Sequence, residues 1–302
     1  MTDSAEAEIF IEFKWKSSDD PFCAVRDVFC SRCNKDVKSF LHETKGGNDT
    51  LGQITGYAAA HFSAQFRTHV YSILIVKDTA RILRWDRSGT IVTEAIKYNK
   101  SPLLAEFFRR FSKASPQMRG MDQSVSDPSP TEAEAARYAL GLDETVPLAK
   151  LEIHGADNLP HYFVTSTPRA TPYLPPGRAT RGFPAYDISQ KTTVFVKDSW
   201  RVELPDIQLE GLTYRILKNA SVHNIPDCLE SGDVSTAQYH ATKTHDYVEE
   251  VWACHSDTHF IPHRHYRLAL DVIGDNITNF QSSYQMVSIV RDALIGELTL
   301  IQ

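Results

Sequence analysis

The sequence predicts an α+β protein in three parts: a mixed α/β domain over residues 1–115, a linker with a short helix over 116–147, and a strand-rich lobe with helices over 148–302. Three observations predict it. Runs of period-two apolar alternation mark strands in both halves. Apolar residues at helical spacing mark helices in both halves. Between the halves, Ala114 to Thr131 holds three Pro and four Ser and almost no large aliphatic residue, as linkers and exposed loops do.

Composition bounds the rest. At roughly 150 residues per domain, 302 residues make two domains or one large one. Apolar residues at 42% suffice for a sizeable core and exclude wholesale disorder and fibrous architectures. The net charge of −6 argues against a nucleic-acid partner for the protein as a whole. No apolar run approaches the ~20 residues that span a bilayer. The first ten residues, MTDSAEAEIF, are acidic and lack the apolar centre of a secretory leader. Five cysteines stand without framework spacing, so reduced thiols and a cytoplasmic or nuclear protein are expected. Cys30-Ser-Arg-Cys33 is a lone CxxC. A zinc site needs about four ligands, and two ordinary thiols explain the pair as well.

The elements follow in order. Ile9 to Trp15 (IFIEFKW) alternates apolar and charged residues and reads as a strand. Lys45 to Asp49 (KGGND) reads as a loop. Leu51 to Arg67 is Ala-rich with helical apolar spacing. Three strands follow, His69 to Val76, Thr79 to Trp85 and Thr90 to Glu94, joined by turns at Lys77-Asp78 and Asp86 to Gly89. Leu103 to Ser112 is an amphipathic helix whose Phe107, Phe108 and Phe111 fit a core role. Glu132 to Leu140 is a short helix with Thr131 as N-cap. Strands are expected at Leu148 to His154 and His161 to Ser166, and the four prolines of Pro168 to Pro176 require a loop. No internal repeat is present.

The second half carries a candidate nucleotide half-site. Gly177-Arg178-Ala179-Thr180-Arg181-Gly182 spaces two glycines five apart, and a strong β-run, Thr193 to Lys197, follows a turn at Ser189 to Lys191. Glycine lets backbone N–H groups approach phosphate because no Cβ obstructs them, and a Lys at the end of the next strand can reach the same phosphates. An exposed turn and a strand ending in a surface Lys give the same pattern. Ile207 to Asn219 then places Glu210, Tyr214 and Leu217 on neighbouring turns of one helix. A strand Lys and a Glu on the following helix can form an ion pair that orients the Lys toward phosphates. Two strands, Tyr247 to Cys254 and Tyr266 to Asp271, a connector at Val272 to Asp275 and a helix from Ser283 to Leu294 complete the series.

This order is that of the protein kinase small lobe and hinge. The segments GQITGYAAAHFSAQFRTHVYSILIVKDTARILRWDRSG, GRATRGFPAYD, VFVKDSWRV and HYRLALDVIG together resemble the fungal-type protein kinase family of mushroom-forming fungi, over nearly the whole chain. The resemblance implies ATP as cofactor with Mg²⁺, and a protein Ser/Thr substrate. It implies that Gly177, Ala179 and Gly182 belong to the phosphate-covering loop. Lys197 would contact the α- and β-phosphates and Glu210 would pair with it. Leu270 would lie behind the adenine, and Asp271 to Ile273 would offer it hinge backbone groups. Ala179 stands where the middle glycine is usual, and Pro184 removes a donor and fixes φ.

Phosphoryl transfer also needs a catalytic-loop Asp, an Asn for metal and the Asp of D-F-G. None of these motifs occurs in the sequence; His263-Arg264-His265 lacks the Asp and precedes the hinge. The chain therefore reads as ending before the catalytic loop. It is expected to be a kinase relative incapable of transfer by itself, a pseudokinase or scaffold that binds nucleotide weakly, with no residues here to hold the metal.

The first half echoes a nuclease. Ile11-Glu12-Phe13-Lys14 has the (D/E)xK form of restriction-endonuclease-like folds, and Gln53 to Tyr57 fits the QxxxY pattern of some of them. On a strand, Glu12 and Lys14 share a face. A half-buried strand with alternating charges explains the same residues, and metal catalysis needs several carboxylates together. His255, His259, His263 and His265, with Cys254 and Asp257, read as a solvent-facing loop or a transition-metal cluster. Arg81, Arg84 and Arg87 read as surface charge.

Overall fold

The computed structural model describes residues 4–23, 40–42, 44–155, 159–169, 172, 174–234, 238–248, 250 and 260–300, with the side chains of 297–300 excepted. The expected CxxC at Cys30 and Cys33, and Cys254, His255, Asp257 and His259, lie outside the described residues. The chain divides into two compact units. The first comprises Met1–Gln123, Pro172–Ala179 and Ala237–Arg264; the second comprises Ser124–Thr171, Thr180–Thr236 and His265–Gln302. Each is mixed α/β and holds one sheet.

The first unit has a four-stranded sheet in the order β1 (Phe10–Lys14), β2 (Val70–Val76), β3 (Thr79–Trp85), β4 (Thr90–Val92). β1 runs parallel to β2, which is possible because α1 (Lys45–Ala64) carries the chain across. β2 to β4 form an antiparallel meander. Ile54, Ala58 and Phe62 of α1 pack on Val70, Leu74, Leu83 and Trp85, the core of the unit. α2 (Leu103–Lys113) sets Phe107 and Phe111 against Tyr71.

α1 begins earlier than its periodicity suggests. The KGGND stretch, expected as a loop, forms its first turns. Thr44 caps the helix by accepting the Gly47 amide at 3.0 Å. Gly46 lies close against the Asp19 side chain, where a Cβ would stand 2.4 Å from Oδ1.

The three arginines expected on the surface are instead structural. Arg81 is buried, paired with Asp20 and donating to the carbonyls of Thr93 and Phe22. Arg84 holds Asp86 at 2.7 Å. Arg87 is 2% exposed, lies 3.9 Å over the Phe62 ring and donates to the Pro175 carbonyl. Their aliphatic stems cover apolar surface while carboxylates and carbonyls take up the heads. Buried Asp86 also accepts the amides of Lys243 and Thr244, which fastens that later segment to the sheet. Cys23 is buried, and Cys228 is a free thiol.

The second unit is built on a seven-stranded sheet. Its strands are β5 (Val125–Ser126), β6 (Ala149–His154), β7 (Pro160–Thr165), β8 (Arg181–Asp187), β9 (Thr192–Val202), β10 (Cys228–Asp233) and β11 (His263–Leu270). The order is β10-β11-β9-β8-β7-β6-β5, antiparallel from β5 through β9 and between β10 and β11. α3 (Pro130–Leu140) is capped by Ser129, two residues before the expected Thr131, in a reciprocal capping box with Glu132. α4 (Glu210–Asn219) follows β9 and α5 (Ser283–Leu300) follows β11. α5 leaves Tyr284, Val287 and Leu294 exposed. β10 has no sequence signal, because Glu-Ser-Gly-Asp lacks alternation; it forms by pairing with β11. The strand expected at Tyr247 to Cys254 begins instead in a short 3-10 helix, Thr244–Tyr247, and its remaining residues are outside those described except Val248 and Glu250. His263 and His265 are not loop residues: both are buried on β11.

Candidate functional site

β9 carries the centre of the site. Its side chains alternate between faces, so Phe195 and Lys197 point to one and Val196, Asp198 and Trp200 to the other. On the first face the helix α4 starts at Glu210. Lys197 Nζ lies 2.6 and 2.8 Å from the two carboxylate oxygens of Glu210. Both side chains are about a quarter exposed, at 24% and 26%. The pair is therefore held yet open to solvent on one side. The carboxylate sits in the first turn of α4, where the helix dipole favours negative charge.

Close packing sets the position of α4. Gly211 follows Glu210, and a Cβ there would fall 1.9 Å from Ser231 Oγ on β10. The Gly211 amide donates to the Tyr266 hydroxyl on β11 at 3.0 Å. Tyr266, Leu268 and Leu270 form a small core with Phe195, Leu209 and Tyr214, on which the helix rests. Burial raises the hydroxyl pKa of Tyr266 and of Tyr214, which keeps both neutral beside Glu210.

Gly182 lies directly opposite Lys197 in the β8–β9 register. Its missing side chain makes room for Phe195, whose ring would meet a Cβ at 2.5 Å. Gly177 and Ala179 belong to the first unit, Gly182 and Lys197 to the second. The Gly177 amide donates to the Arg87 carbonyl at 2.8 Å. Ala179 adopts φ of 45°, an αL conformation that glycine would take at lower cost.

Leu270 ends β11, buried, in the same small core as Tyr266. Asp271 is fixed by two bonds to Asp227: its amide donates to the Asp227 carbonyl, and its carboxylate accepts the Asp227 amide. Ile273 follows in the connector, and no hydrogen bond involves its backbone among the described residues. Arg169 was not singled out by sequence. Its amide donates to the Gly182 carbonyl and its guanidinium to the Gly274 carbonyl, so it ties β8 to the connector.

The other face of β9 holds a buried charge cluster that sequence reasoning also missed. Asp198 is 2% exposed and accepts from Arg181, His265 and Arg267. Arg267, fully buried, also donates to the Ser124 hydroxyl and the Glu152 carbonyl. The His265 ring stacks on Trp200 with centroids 4.9 Å apart. Burial alone would push the Asp198 carboxyl up, but the charges of His265, Arg181 and Arg267 hold it well below the usual carboxylate range. The signal for this cluster is the period-two recurrence of His263, His265 and Arg267 directly after Pro262, where β11 begins.

In the first unit, Glu12, Lys14 and Gln53 meet. Lys14 Nζ is 2.7 Å from Glu12 Oε1 and 2.5 Å from Gln53 Oε1. Tyr57, one turn on, stacks on Phe10. The ExK strand and the QxxxY helix are thus brought to one face.

Among the described residues, no helix is long and apolar enough to cross a membrane. No curated protein and no solved structure matches the chain. A sequence model of the family described as fungal protein kinase matches residues 23–302, and by that match the chain belongs to the fungal protein kinase family.

Proposed function

We propose that the second unit is a nucleotide-binding small lobe and that these residues alone do not transfer phosphate. The Lys197–Glu210 ion pair carries the reading. An ammonium fixed by a carboxylate, with one side open to solvent, is the arrangement that presents a cation to the α- and β-phosphates of ATP. Leu270 would then back the adenine, and the backbone of Asp271 to Ile273 would face its edge. Gly182 keeps the β8 backbone close to Lys197, while Gly177 spends its amide on Arg87 and adds no phosphate donor. The residues fit ATP as a ligand.

They do not fit the family's Mg²⁺. The sequence has no H-R-D or D-F-G motif to supply the metal-binding carboxylates. One Lys does not replace two ions in neutralising a triphosphate. We read these residues as a nucleotide-binding element, with a pseudokinase or scaffold as the alternative to an active kinase. Calorimetry with ATP, with and without Mg²⁺, tests the reading. Binding that is lost in Lys197→Met, without loss of fold, supports it. Phosphorylation of any protein by the purified chain would overturn the inactive part, and no binding at all would overturn the nucleotide part.

A second reading concerns the first unit. The contact of Glu12, Lys14 and Gln53 favours descent from a restriction-endonuclease-like fold, with strand, helix and parallel strand in sequence. Glu12 is a single carboxylate, whereas metal-assisted hydrolysis needs several. DNA cleavage dependent on Mg²⁺ or Mn²⁺ and abolished by Lys14→Ala would turn this ancestry into an activity.

A further inference from the structure

Among the described residues β1 is an edge strand, bonded to β2 on one side and open on the other. Edges of this kind are templates for pairing with another chain. Three features make this edge unusual. Its outward face is apolar and exposed: Ile11 is 39%, Phe13 68% and Trp15 84% exposed. Its opposite face carries Glu12 and Lys14, one charge of each sign. Its free backbone is also in phase with the apolar residues. The Lys14 carbonyl points toward β2, where it accepts the Lys77 amide. Backbone groups alternate in direction along a strand, so those of Ile11 and Phe13 point to the open edge, and Trp15 follows directly after the strand.

We propose that the chain self-associates through β1, with two copies pairing antiparallel about a two-fold axis at Phe13. In that register Phe13 faces the partner's Phe13, Ile11 faces the partner's Trp15, and Glu12 faces the partner's Lys14. The last relation occurs twice by symmetry. Phe13 and its counterpart exchange both backbone bonds, as the phase of the free edge requires. Glu12 and the partner's Lys14 then fall at a non-hydrogen-bonded pair, where side chains approach most closely. Shifting the axis by one residue sets Glu12 against the partner's Glu12, or Lys14 against the partner's Lys14. Like charges directly opposite are destabilising, so charge disfavours both adjacent registers. The same axis keeps Ile11, Phe13 and Trp15 of both copies on one face, where six apolar side chains cover one another. An isologous contact of this kind closes on itself and does not propagate into fibres.

Sedimentation equilibrium of the full chain tests the proposal. A monomer–dimer equilibrium is expected, at about micromolar strength for so short a contact. Glu12→Lys turns both cross-strand pairs repulsive and should weaken the dimer about tenfold. Adding Lys14→Glu to that variant reverses both charges and should restore it. A second measurement is independent of charge. Paired residues that exchange backbone bonds have Cα atoms about 5.5 Å apart, within disulfide range. Phe13→Cys should therefore oxidise to a covalent dimer beyond the wild-type background, and Ile11→Cys should not. A chain monomeric at all concentrations overturns the proposal. So does a dimer indifferent to both charge changes, or cross-linking at position 11 equal to that at 13.

Discussion

Lys197 and Asp198, neighbours on β9, carry opposite charges to opposite faces of one sheet. The ammonium goes to the partly exposed carboxylate of Glu210, and the carboxylate goes to a buried set of two guanidiniums and an imidazole. A strand's period of two makes this separation, and it assigns different work to the two residues. Lys197 is free to exchange part of its contact with a ligand. Asp198 is not, because it is buried and accepts from Arg181, His265 and Arg267 at once.

Asp198→Asn should therefore damage stability more than binding. Removing one member of a buried ion cluster costs about 3–5 kcal/mol, whereas ion pairs open to solvent are worth about 0–1 kcal/mol, and Lys197–Glu210 is partly open. Urea unfolding followed by tryptophan fluorescence reads this directly, since Trp200 stacks on His265. The sign with pH is fixed. The carboxyl of Asp198 is lowered below 3.8, so its contribution is fully present above that pH and fades as acid protonates the folded form. The variant should lose that part of the acid sensitivity below pH 3.8.

Gly211→Ala should couple the fold to the proposed site. The added methyl group meets Ser231 Oγ and Cβ at 1.9 and 2.5 Å, so α4 must move away from β10. Such overpacking costs about 1–3 kcal/mol. Because Glu210 is the preceding residue, its carboxylate moves with the helix. Calorimetry should show weaker ATP binding, and Ser231→Gly in the same chain should recover most of it. Recovery of stability without recovery of binding would separate α4 position from nucleotide affinity.

His69 predicts a pH dependence for the first unit. It is buried, and burial followed by the Arg84 guanidinium lowers its pKa from 6.5 to about 3. His61 is lowered to about 4, chiefly by burial. The unfolded chain binds these protons first, so stability is complete above pH 6.5 and falls as pH drops toward the folded values. Each such group contributes a slope of about 1.4 kcal/mol per pH unit between its two pKa values. Unfolding at a series of pH values from 7 to 4.5 should show the slope. His69→Phe should be less stable at pH 7, because the ring bonds to Thr68 and Met118 are lost, but should flatten the profile by one group.

The amino-acid sequence by itself determined the local elements whose residues alternate or recur cleanly: β1 to β4, α2, β6, β7 and the Lys-bearing β9. It also determined the kinase kinship and the candidate pair of Lys197 and Glu210, because residue type and spacing carry those. Tertiary structure decided the rest. β10 exists only through its pairing with β11, and the glycines before Leu51 became helix because Asp19 and Thr44 pack against them. Arg81, Arg87, Arg267 and His265 went inside rather than outside, since a charged residue is buried when partners distant in sequence can satisfy it. Such partners, Asp20 for Arg81 and Asp198 for Arg267, stand 61 and 69 residues away, a separation no local pattern spans.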